Sequence, residues 1–297
     1  MTGAAADGER PSSWGLDPLK PPARPLELFD LAETARVDHT QGSGHAPSRA
    51  HIQVPAPPFG DGRNGQGRRP GTDTVPGRID LLRRRPACTC DHYAEGGELE
   101  GLAARVAGEF CADARSHVSG LLVDALFALV ADPRAPPRRT CAGHAWGSGD
   151  LAMAAHAALS ERPELQLPMD FACVLPTHRL ANLLASPEGH TVARRPDGKA
   201  CVNVAGLDIA AYSPDRLGQH AAHCCQQMAA FVADSQDPFP AFVVPKRWSL
   251  GLAISDIFAR EERHGGRLGF GGDYVVGAGV LRPEGIVGVL PAASRGA

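Results

Sequence analysis

The chain has 297 residues, 43% of them hydrophobic, and a formal net charge of -3. That length is ample for a large buried core, and the near-balanced charge argues against a basic nucleic-acid reader. No run reaches the roughly 18 apolar residues of a membrane span. Residues 1–10 lack the basic flank and apolar stretch of a secretory signal. The 8 Cys are too sparse for a disulfide scaffold, so free thiols in a reducing compartment are expected.

Gly (34) and Pro (26) are abundant and concentrated at the front, where residues 1–95 hold 11 Gly and 12 Pro. Over residues 1–48 no period is sustained, and Pro11, Pro18, Pro21, Pro22 and Pro25 argue against regular structure. A flexible arm is expected there, with one or two helical turns at residues 26–31. Residues 50–54 and 78–82 read as strands flanking a Gly- and Arg-rich tip at 59–71, which predicts a long hairpin. From 49 to 90 eight Arg face three Asp, a local charge of +5. Residues 49–95 therefore read as a paired basic projection with no core of its own.

From 98 to 131 every apolar step is three or four residues, through Leu102, Val106, Phe110, Ala114, Val118 and Leu122, with Pro133 just beyond. This predicts one helix of roughly 50 Å. Helices are also predicted at 149–161, with Asp150 as cap, at 177–186, with Leu180, Leu183 and Leu184 facing inward, and at 214–234. Strands are predicted at 171–175, 200–204, 207–211, 242–244, 274–280 and 286–290. Residues 248–254 alternate as a half-buried strand should. Residues 261–272 read as a charged, Gly-rich turn region. Strands and helices do not alternate as βαβ units, so the expected class is α+β rather than a doubly wound sheet.

Signs of chemistry are weak. Cys88, Cys90 and His92 form one cluster, Cys141 and His144 a second, and His223, Cys224 and Cys225 a third. A zinc site needs four tetrahedral ligands, usually from paired knuckles, and no run supplies two pairs. Cys also packs as a small apolar residue, which suits Cys224 and Cys225 on an apolar helix face. A metal- or thiol-dependent enzyme stays open as an alternative resting on these clusters. There is no nucleophile elbow, nucleotide phosphate loop or paired-His zinc helix. The Gly run at 265–272 matches no dinucleotide fingerprint. Arg260, Glu261, Glu262, Arg263 and Arg267 read as a salt-bridged surface or subunit contact. Arg68, Arg69 and the run Arg83, Arg84, Arg85 suit either acids on a neighbouring subunit or nucleic acid. No cofactor is called for.

The order of elements and four stretches resemble the tailed-phage major capsid proteins of the Hong Kong 97 type, a fold shared with encapsulin shells. The stretches are the long helix at 99–130 directly after the hairpin, DFACVLPTHRLANLL at 170–184, GKACVNV at 198–204 running into LDIA at 207–210, and the Arg- and Gly-rich strand pair at 263–272 followed by VLRPEGIVGVL at 280–290. The resemblance implies an N-terminal arm (1–48) and an extended loop (49–95). A peripheral domain with a spine helix (96–169), an axial domain (170–258) and closing strands that return to the peripheral domain (259–297) follow. It implies a non-enzymatic shell subunit of the virion, assembled in the host cytoplasm into hexamers and pentamers around double-stranded DNA. Its partners would be copies of itself, other capsid, portal or decoration proteins, and DNA held non-specifically, with no membrane. An encapsulin-type shell around a protein cargo is the alternative within the same fold. Some members cross-link through a Lys in the extended loop. Here no Lys lies between Lys20 and Lys199, so the hairpin cannot form that bond.

Overall fold

The apolar spacing after residue 97 closes into a single helix. In a computed structural model, α1 (Gly97–Ala131) has 35 residues and is about 52 Å long. The structure describes residues 13–19, 26–38, 49–55, 74–90, 97–131, 138–142, 148–161, 171–185, 190–194, 200–204, 206–217, 221–222, 239–264 and 267–291. Before α1 come β1 (Ser13–Leu16), β2 (Glu33–Arg36), β3 (Arg49–Pro55), β4 (Thr74–Asp80), β5 (Leu82–Arg84) and β6 (Ala87–Cys90). After it come β7 (Arg138–Ala142), α2 (Ser148–Glu161), β8 (Phe171–Pro176), α3 (Thr177–Ala185), β9 (His190–Arg194), β10 (Ala200–Val204), β11 (Leu207–Tyr212), β12 (Ala241–Pro245), β13 (Leu250–Ile254), β14 (Ile257–His264), β15 (Arg267–Val280) and β16 (Val287–Pro291). Among the described residues no helix is long and apolar enough to cross a membrane.

The strands form two sheets and a ribbon. The first sheet runs β1-β14-β15-β13-β2, with β5 and β6 also paired to β15. The second runs β7-β16-β12-β8-β11-β10-β9, and β3 pairs with β4 alone. The segment 170–258 is thus split, because β8 to β12 lie in the second sheet and β13 in the first. The closing segment is split as well, with β14 and β15 in the first sheet and β16 in the second.

α1 lies between the sheets. Val106, Phe110, Ala114, Val118, Leu122 and Leu126 are buried on the face the spacing predicts. They share one cluster with Leu250, Leu252, Ile254 and Tyr274 of the first sheet and Ala172, Val174 and Phe242 of the second. Phe127 packs edge-on to Tyr212 at 5.9 Å and tilted against Phe242 at 5.5 Å. The Tyr212 hydroxyl donates to the Pro240 carbonyl at 2.7 Å. β8 alternates strictly: Ala172 and Val174 face α1, while Phe171, Cys173 and Leu175 face α2 through Leu151, Ala154 and Ala158. A strand buried on both faces needs an unbroken apolar run, and FACVLP supplies it.

Several expectations are corrected. The front segment is not structureless: β1 pairs with β14 and β2 with β13, and Leu26, Leu28 and Leu31 are buried in the main core. Strand β1 fits between Pro11 and Pro18, so those prolines bound it without breaking it. The charged stretch 261–272 is strand over most of its length, because β14 and β15 pair from Phe258–Asp273 down to His264–Arg267. A single long helix over 214–234 does not form from its first residue. Pro214–Arg216 is one 3-10 turn, and Leu217 is already extended. Residues 218–220 and 223–234, with Cys224 and Cys225, lie outside the described residues. In α3 no residue is fully buried; Leu180 and Leu183 pack on the second core, and Leu184 is exposed. β13 is buried along its whole length rather than on one face.

Candidate assembly surfaces

The hairpin explains why β13 has no wet face. In β3 and β4, Ala50 pairs with Ile79 and His51 with Arg78. Ala50, Ile52, Ile79 and Leu81 point inward onto Ala253 and Val275, the face of the first sheet opposite α1. Arg49, His51, Arg78 and Asp80 point outward, and Arg49 Nε donates to Asp80 Oδ1 at 2.9 Å. The hairpin root therefore has a core to pack on, contrary to the expectation of a free projection. Contact is close because the sheet below carries glycine. A Cβ on Gly277 would press on the backbone carbonyl of Asp80, and one on Gly251 would lie 2.6 Å from Leu281 and 2.8 Å from Ile79. A glycine inside a strand is the sequence signal for such an approach. The tip, with Arg68 and Arg69, lies outside the described residues.

Alternation along β5 separates Arg83 from Leu82 and Arg84, and Arg85 lies just beyond the strand. Arg83 is half-buried, and its Nε donates to Asp273 Oδ1 at 2.7 Å and Oδ2 at 3.0 Å, while Nη2 also donates to Oδ2. This forked pair raises the guanidinium pKa and ties β5 to β15 within the chain. Arg84 and Arg85 are exposed, next to Leu82 at 52% exposure. Arg84 sits opposite Tyr274 in the β5–β15 register. Tyr274 is buried, and its hydroxyl pKa is pushed up to about 12, chiefly by desolvation and then by Asp113, with Arg84 opposing. On α1, burial lowers the His117 pKa, and the like charge of Arg84 adds to that, while Asp113 and Asp124 oppose it.

On the β14–β15 ribbon, Phe258 and Arg260 point outward while Ile257 and Ala259 are buried. Pairing with β1 covers Ile257 to Arg260 and stops there. Glu261 is half-buried. Glu262, Arg263 and Arg267 lie on the same ribbon backbone, and their side chains fall outside the described residues. The ribbon thus carries all five residues proposed from sequence as a contact surface. Phe258, an exposed apolar residue on the same ribbon, was not among them, since nothing local reveals which face of the strand is outward.

The metal candidates do not gather on one strand pair. Cys88 and Cys90 lie on β6 of the first sheet, opposite Phe270 and Leu268. Cys141 lies on β7 of the second sheet, opposite Leu290. His92 and His144 fall outside the described residues, among which no group of three His, Cys, Asp or Glu is placed to hold a metal. Two thiols are described. Cys173 is fully buried in β8, and burial pushes its pKa well up. Cys111 is half-buried, its pKa raised by desolvation and partly restored by Arg115.

No protein-family model matches the sequence, and no curated protein matches it. Solved structures do match. The capsid of Ralstonia phage GP4 aligns over 100% of both chains at 11% identity, with a TM-score of 0.51. The capsid of a native GTA particle aligns over 90% of each chain at 12% identity and a TM-score of 0.49. Mycobacterium phage Che8 aligns over 89% of this chain and 91% of its own at 15% identity, with a TM-score of 0.48. The full-length GP4 correspondence, on a spine helix held between two sheets, gives this chain the Hong Kong 97 capsid fold.

Proposed function

We propose that the chain is the structural, non-enzymatic subunit of an icosahedral phage capsid that self-assembles into hexamers and pentamers enclosing double-stranded DNA. The observation that carries this reading is the match to the GP4 capsid over the whole length of both chains. The segments take the roles of arm (1–48), extended loop (49–95), peripheral domain with spine helix (96–169), axial domain (170–258) and closing strands (259–297). The outer hairpin face (Arg49, His51, Arg78), Arg84, Arg85 with exposed Leu82, and Phe258 with Arg260 meet neighbouring copies. Arg68, Arg69, Glu261, Glu262, Arg263 and Arg267 extend those surfaces. An apolar centre rimmed by Arg is the composition of a protein interface. Contacts between copies are non-covalent at the hairpin, which has no Lys. Portal, decoration and other capsid proteins complete the virion, which is assembled in the host cytoplasm.

Electron microscopy of the purified chain tests this directly. Closed shells or ring-shaped capsomers are the expected result, with nuclease-resistant double-stranded DNA in particles from infected cells. A chain that stays monomeric under every assembly condition overturns the reading. A shell that holds an enzyme in place of DNA assigns it to the encapsulin type.

A further inference from the structure

Between the α1 flank and the second sheet lies a cavity of about 440 Å³, within the range of small-molecule sites. Its wall combines Arg115, Ser116 and Ser119 of α1 with Leu28 of the front segment, Leu180 of α3 and Ile209 of β11. Arg115 is 6% exposed. Its buried Nε has no hydrogen-bond acceptor, and among the described residues Arg115 forms no ion pair. A guanidinium does not deprotonate in a protein, so burial leaves a full charge without a counter-ion on the wall of the cavity. A buried charge calls for a counter-ion. The planar fork fits a carboxylate in two parallel hydrogen bonds, and the Leu and Ile wall suits a hydrocarbon stem better than a hydrated inorganic anion.

We propose that this cavity is a binding site for a carboxylate carried on a short apolar chain, with Arg115 as its anchor. Such a group comes either from a small aliphatic acid in solution or from an acidic side chain of a second copy. The site itself does not depend on the shell reading.

The test titrates ¹³C-labelled hexanoate into the dissociated full-length subunit, followed by NMR and by the thermal midpoint, with inorganic phosphate as the comparison. Saturable hexanoate binding that raises the midpoint is expected, with phosphate binding at least tenfold weaker. Arg115→Met should weaken hexanoate binding at least tenfold and raise the midpoint of the ligand-free chain, because it removes an unpaired buried charge. Arg115→Lys should keep part of the affinity. Ser119→Leu should abolish binding by filling the cavity while Arg115 remains, so the test survives if one variant fails to fold. Hexanoate that also binds the assembled particle identifies a small acid as the occupant. Exclusion from the particle alone identifies the carboxylate of a neighbouring copy. Absence of saturable binding to the dissociated wild-type subunit, or undiminished binding by folded Arg115→Met, overturns the proposal.

Discussion

Two glycines in one strand should respond to alanine in opposite directions. Gly277 and Gly279 are two residues apart on β15, pairing with Ala253 and Gly251 of β13. A Cβ at Gly277 meets the Asp80 carbonyl, with Ile79 Cγ2 at 2.7 Å and the Asp80 carbonyl carbon at 3.1 Å. A Cβ at Gly279 meets nothing within 4 Å. The Asp80 obstacle is backbone at the hairpin root, so no rotamer change relieves it. Gly277→Ala must lift Ile79 and Asp80 off the first sheet, at the roughly 1–3 kcal/mol typical of overpacking. At Gly279 the chief effect is the lost freedom of the unfolded chain, worth about 0.4–1 kcal/mol in favour of folding. For a chain of 297 residues 1 kcal/mol moves the thermal midpoint by about 1.6 °C. Gly277→Ala should therefore lower the midpoint by about 1.5–5 °C and Gly279→Ala should leave it level or raise it. The assay is calorimetry of the unassembled chain, with hydrogen exchange read at β3 and β4. Exchange should rise at the hairpin root in Gly277→Ala and stay unchanged in Gly279→Ala. Equal midpoints for the two variants, or a Gly277→Ala chain as stable as wild type, would refute the close-approach argument.

Four further outcomes follow from the same contacts. Asp273→Asn leaves Arg83 half-buried without its forked acceptor and should cost about 1–2 kcal/mol in urea unfolding; a loss within error would mean the pair is solvent-screened. Phe127→Ala removes the ring that joins α1 to Tyr212 and Phe242 and should cost about 3–5 kcal/mol, so a loss under about 1 kcal/mol would contradict the packing described. Cys173 should resist a thiol reagent at pH 8 in the native chain and react only on unfolding, whereas rapid native labelling would place it at the surface. His117 has a lowered pKa in the folded chain, so the unfolded chain binds its proton first as pH falls. Its share of stability is complete above the ordinary His value of about 6.5 and declines as pH drops below it. His117→Gln should flatten that decline, and an unchanged pH profile would exclude His117 as its source.

The surroundings of the candidate contact residues were only partly legible in advance. The run Arg83–Arg85 stood out by charge, but alternation within β5 separates Arg83 from Arg84, and the acceptor that claims Arg83 lies 190 positions away. The Cys and His clusters drew attention by chemistry. Strand pairing then assigned Cys88 and Cys90 to one sheet and Cys141 to the other. Arg115 gave no signal in the sequence, because on a helix wheel it is one more charge beside an apolar stripe. Only the packing of a leucine-rich front segment and a second sheet around it made it a buried cation.

The sequence by itself determined the elements whose stability is local. The three-and-four spacing set α1 to within a residue or two, the unbroken apolar run set β8, and the element order was enough to suggest the capsid fold. Tertiary structure decided the rest. It drew β1 and β2 out of a Pro-rich front segment, turned a charged Gly-rich stretch into β14 and β15, and laid the hairpin root on the first sheet so that β13 lost its wet face. β14 and β15 pair with each other locally, from His264–Arg267 outward, but the strands that complete their sheet lie elsewhere in the chain. A strand is stabilised by hydrogen bonds and side-chain packing from partners that can lie far along the chain: β1 takes its partner from β14 and β2 from β13, each more than 200 residues away in sequence. No local window contains those partners.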